Sequence, residues 1–117
     1  MHLNNIFGFN GKPFSSRKPD AAAIVHGKGM YSRINGMVSV FRASNGLYVS
    51  AHFQDIPKID DEIYFMLADM EICRILSKGK IAYFAFFTDM LSFSEIVNTR
   101  ASLTIRDSEI AYGSILK

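Results

Sequence analysis

The dipeptide Asn45-Gly46 stands between two runs in which apolar and polar residues alternate, and this commits the chain to antiparallel β-structure. Asn-Gly between period-two runs is a strong hairpin signal, because both residues tolerate the positive φ of a tight turn. Before it, Ile34, Gly36, Val38 and Val40 share one face of a strand over 34–43, with Asn35, Met37, Ser39 and Phe41 on the other. After it, Leu47, Val49, Ala51 and Phe53 share one face of a strand over 47–54; Tyr48, Ser50, His52 and Gln54 occupy the other. One face of each strand is therefore core, and Phe41, Tyr48 and His52 are expected on the outside.

Six more segments read as strands: 21–26, 62–68, 71–76, 80–87, 102–106 and 109–116. They are punctuated by Gly27-Lys28-Gly29, a polar loop over 58–61, a tight turn at Asp69-Met70, a hairpin at Lys78-Gly79 and a turn at Asp107-Ser108. Ser92-Phe93-Ser94-Glu95 has capping-box spacing and predicts one short helical turn through about Val97. Eight short strands at this spacing predict an all-β, eight-stranded antiparallel barrel or sandwich over residues 20–117. Residues 1–19 are rich in Asn, Gly, Ser, Pro and basic residues and read as a flexible arm, with Ile6, Phe7, Phe9 and Phe14 able to dock on a sheet or a neighbouring chain.

A chain of 117 residues that is 49 % hydrophobic can bury one core without disulfide or metal. Its net charge of +2 is too mild to identify a partner. Cys73 is the single cysteine, so no intramolecular disulfide forms and nothing argues for an oxidising compartment. Residues 1–20 hold no apolar run of signal-peptide length, and the run 81–87 falls far short of the roughly 18 residues of a membrane span. A cytoplasmic protein with no membrane association is expected.

Few residues carry chemistry. The three histidines are His2 in the arm, His26 at a strand end on the barrel rim, and His52 on an outer face. Arg106, Asp107 and Glu109 are explained by charge pairing across a hairpin. Met30, Met37, Met66, Met70 and Met90, helped by Cys73, offer soft donors to Cu(I), but their spacing matches no recurring motif and Met also fills apolar gaps. Cys73 reads as an inert thiol. Lys78, Lys80, Arg17 and Lys18 are opposed by Asp55, Asp60, Asp61 and Glu62, so no basic stripe emerges and no nucleic-acid partner is expected.

Five segments taken in order resemble the copper/zinc superoxide dismutase family, especially its bacterial branch. Pro19 through Gly27 is similar to that family's first strand, Ile34 through Phe41 to its second, and Leu47 through Pro57 to its third. Phe84 through Asp89 with Ser92 through Val97 resembles the strand and turn before the last copper histidine, and Ile110-Ala111-Tyr112-Gly113-Ser114-Ile115 resembles the closing strand. Order and combination carry this resemblance, over residues 20–116. It implies a Greek-key β-barrel, an immunoglobulin-like sandwich, with short hairpins in place of the family's long loops.

The same resemblance implies that the metal sites are gone. The family's His-x-His copper pair falls on Met66 and Ala68, the late copper histidine on Arg106 (or Ile105 with a slip of one), and the second cysteine on Tyr112. The loop with the bridging histidine and zinc ligands is missing, since Glu71 follows almost directly on Asp69, and the loop that steers superoxide is reduced to Asp107-Ser108. Dismutation needs a redox metal. No catalytic or metal-binding residue and no cofactor is expected, with copper or zinc on non-family ligands as the alternative. Loss of the loops should bare the flank at Tyr64, Met66 and Met70 as an interaction surface for a second copy or another protein. The expected function is that of a metal-free superoxide dismutase-like pseudoenzyme, a homo-oligomer or partner-binding protein.

Overall fold

The computed structural model describes residues 5–7, 18–76 and 79–117. Within them nine strands form one antiparallel sheet: β1 (Asn5–Phe7), β2 (Ala21–Gly27), β3 (Asn35–Ala43), β4 (Gly46–Gln54), β5 (Tyr64–Leu67), β6 (Met70–Arg74), β7 (Ala82–Thr88), β8 (Arg100–Ile105) and β9 (Ser108–Ser114). A 3₁₀ turn covers Gly29–Tyr31, and one helical turn, α1, covers Phe93–Ile96. The eight strands expected within residues 20–117 are all present. The short β1 is an addition, pairing Asn5 with Phe87 and Phe7 with Ala85 at the edge of β7. The rest of the proposed flexible arm, apart from Lys18 and Pro19, lies outside the described residues.

The strand order is β1-β7-β4-β3-β2-β9-β8-β5-β6. Sequence neighbours β2, β3 and β4 pair as a meander, whereas β7 returns beside β4, β8 beside β5, and β9 beside β2. The sheet curls into a half-barrel, because alternate residues must bury their apolar side chains against something and the two ends of the sheet supply each other's cover. Phe65 on β5 meets Phe53 on β4 with ring centroids 6.0 Å apart, and Phe84 and Phe86 on β7 at 5.2 and 6.4 Å. Val25, Val38, Val49, Phe53, Phe65, Leu67 and Leu103 are fully excluded from solvent in the same core.

The seam where the halves join is short. β2 and β9 pair at His26–Tyr112 and Gly27–Ala111, and a separate bridge joins Ala22 to Leu116 with two 2.9 Å backbone hydrogen bonds. Between these points the backbones of Ile24 and Gly113 come so close that a Cβ on Gly113 would lie 2.0 Å from the Ile24 carbonyl oxygen.

Several local expectations need correction. The hairpin near Asn45-Gly46 exists, but its loop is Ser44-Asn45, with Ala43 opposite Gly46. Gly46 takes no positive φ; it is needed because a Cβ there would sit 2.3 Å from the Thr88 carbonyl oxygen of β7. The tight turns after β5 and β8 fall one residue early, on Ala68-Asp69 (φ 49° and 64°) and Arg106-Asp107 (φ 50° and 64°), both with the paired positive φ of a two-residue type I′ loop. The hairpin expected at Lys78-Gly79 falls partly outside the described residues; Gly79-Lys80 is a turn, and among the described residues β6 pairs with β5, and β7 with β4 and β1.

Edge strand β6 carries a bulge. The register with β5 shifts between Phe65–Cys73 and Met66–Glu71, so Ile72 is the extra residue, and both Ile72 and Cys73 turn toward the core. A bulge with Glu71 and Arg74 exposed on an edge discourages pairing with a foreign strand.

Candidate interaction surface

Register decides what the outer face of β2-β3-β4-β7 displays. Ile24 lies opposite Met37, Met37 opposite His52, and His52 opposite Tyr83, so four outward side chains cross four strands in one row. Three of the four are large and substantially exposed: Ile24 at 56 %, Met37 at 44 % and Tyr83 at 50 %. The next row runs Tyr112, His26, Asn35, Gln54, with Tyr112 and His26 also exposed. The His52 ring packs tilted on Tyr83, centroids 4.8 Å apart, which orients the imidazole. Burial raises the Tyr83 phenol above its ordinary range. Beside this pair a shallow concavity of about 300 Å³ is lined by Ile24, His26, Asn35, Gly36, Met37, His52 and Gln54.

The other end of the same outer face is different. Phe41, expected to be exposed, is buried with Ala85 in a second small cluster, and Tyr48 packs against it and against Phe87 at 5.0 Å. Period-two alternation misplaces Phe41 because it presumes a solvated outer face along the whole strand.

The flank expected to be bare is fenced by charge. Tyr64 and Met66 are half-buried on β5, and Met70 is exposed at the start of β6. The Tyr64 hydroxyl donates to Glu62 Oε1 at 3.2 Å, and Glu62 also pairs with Arg74. The Arg74 and Tyr64 hydrogen bonds hold the Glu62 carboxyl below its usual range, and the Glu62 carboxylate raises the Tyr64 phenol. Tyr64 and Arg74 lie opposite each other on the outer side of the β5-β6 hairpin, whereas Met70 lies opposite the buried Leu67; the wider apolar row lies on the other half of the sheet.

Met66, Ala68 and Arg106 do not converge. Met66 is opposite Ser102, Ala68 donates its backbone N–H to Arg100 O at 3.0 Å, and Arg106 lies beyond the far end of β8, paired with Asp61 at 2.8 Å. Among the described residues, no three His, Cys, Asp or Glu side chains are grouped as a metal site would need. Cys73 is half-buried, and desolvation pushes its thiol up to about 11, which leaves little thiolate at neutral pH. At the rim, Glu109 Oε1 accepts from Lys28 Nζ at 3.1 Å and from Arg100 at 2.7 Å. Both cations also lie over the Tyr112 ring, an exposed network that explains these charges without a ligand.

No helix among the described residues is long and apolar enough to cross a membrane. Comparison with protein-family models and with curated proteins gave no match to this chain.

Proposed function

We propose that this chain is a Greek-key barrel of the copper/zinc superoxide dismutase type, without the family's metal sites, that acts by associating with a second copy of itself rather than by catalysis. The Greek-key reading is supported by the strand order, in which the chain leaves the β2-β3-β4 meander for β5 and β6 and then returns to β4 as β7. The two-residue turns after β5 and β8 stand where the resemblance places long metal-binding and steering loops.

The observation that carries the association is the exposed row Ile24–Met37–His52–Tyr83. Four strands at about 4.8 Å spacing make this row roughly 14 Å wide, about half the side of a square patch of the ~800 Å² per partner that a stable dimer buries. The contact is therefore weak and reversible, with the second row at Tyr112 and His26 contributing to its border. Sedimentation velocity over a range of roughly 10 µM to 1 mM tests this reading. Wild type sediments faster as concentration rises, whereas Ile24→Glu, which places a charge in the row, stays monomeric throughout. A wild type that remains monomeric across the range overturns it.

A further inference from the structure

We propose that the concavity shared by this row and the next binds one soft monovalent d¹⁰ ion of the Cu(I)/Ag(I) class, through Met37, His52 and His26. Met37 is the central donor. It lies directly opposite His52 on β4, and on its other side it lies opposite Ile24 on β2, two residues from His26. Directly opposed residues stand about 5 Å apart and diagonal neighbours about 7–8 Å, within reach of side chains as long as Met and His. All three line the same concavity of about 300 Å³.

The composition of that lining selects the ion. It holds a thioether and two imidazoles and no carboxylate. Ca²⁺ and Mg²⁺ require anionic oxygen donors, which are absent from it. Zn²⁺ favours thiolate, imidazole and carboxylate over thioether. A thioether with two imidazoles suits a soft d¹⁰ cation best. The amides of Asn35 and Gln54 would offer only oxygen, a harder donor than the thioether and imidazoles that a soft cation prefers. Tyr83, outside the lining, packs on the His52 ring and orients it.

The test is titration of the full chain with Ag(I) nitrate in chloride-free buffer, at a protein concentration where the chain is monomeric, so that it does not depend on self-association. Two competing donors, Cys73 and His2, are removed in a C73A/H2A background, and the separate methyl signals distinguish Met37 from the other methionines. Native mass spectrometry gives stoichiometry, and NMR of the methionine methyl and histidine ring signals gives location. One ion per chain, with the Met37 methyl and the rings of His26 and His52 all shifting, is expected. Met37→Leu, which keeps volume at an exposed position, should weaken binding at least about tenfold. Loss of binding in the C73A/H2A background, or undiminished binding in Met37→Leu with the histidine rings unmoved, overturns the proposal.

Discussion

Phe65 of β5 meets Phe84 of β7 edge-on, with ring centroids 5.2 Å apart, although the two strands stand near opposite ends of the sheet order. The contact spans the half-barrel and is part of what holds its curl. Phe65→Ala should cost about 3–5 kcal/mol, read as a lower urea midpoint. Phe65→Leu should cost less, because it refills part of the cavity. A double-mutant cycle with Phe84→Ala should give a coupling of about 0.5–1.5 kcal/mol.

The β2–β9 seam admits no side chain at Gly113. A methyl group there would meet the Ile24 carbonyl oxygen, which is backbone and cannot swing away. Gly113→Ala should lower stability by more than about 2 kcal/mol in urea unfolding. Ser114→Ala, at the exposed neighbouring position, should change it by less than about 0.5 kcal/mol.

Cys73 ties stability to high pH. Its folded thiol sits near 11, against an ordinary value of 9.0, so between these values the unfolded chain gives up its proton while the folded chain keeps it. The folded state then binds more protons than the unfolded state, and stability falls as pH rises from about 9 to about 11. The raised phenols of Tyr64 and Tyr83 act in the same direction. Urea midpoints measured across this range should decline, and less steeply in Cys73→Ser. At pH 8 the native thiol should react with a disulfide reagent far more slowly than the unfolded one.

Which strands exist was legible from alternation, because apolar positions such as Val38, Val40, Val49 and Phe53 recur at the strand period and are buried. Register was not. A two-residue loop on Asn45-Gly46 would set Ser44 opposite Leu47 and Met37 opposite Gln54. The observed loop on Ser44-Asn45 sets Met37 opposite His52, and only this register assembles the exposed row and brings its Met37 and His52 together near His26. The local signal, Asn-Gly, favours the first loop, so local sequence points to the wrong register. The choice follows from the close approach of β7 to Gly46, a contact with residues more than forty positions away. The same limit applies to Arg106, which the resemblance groups with Met66 as copper-ligand positions, while strand pairing sets Ser102 opposite Met66.

The proposed association is tested most directly by following backbone amide NMR signals of the full chain on dilution. Shifts concentrated at Ile24, Met37, His52 and Tyr83, and absent in Ile24→Glu, are predicted. Shifts concentrated at Tyr64, Met66 and Met70 instead, or none at any concentration, would contradict the account.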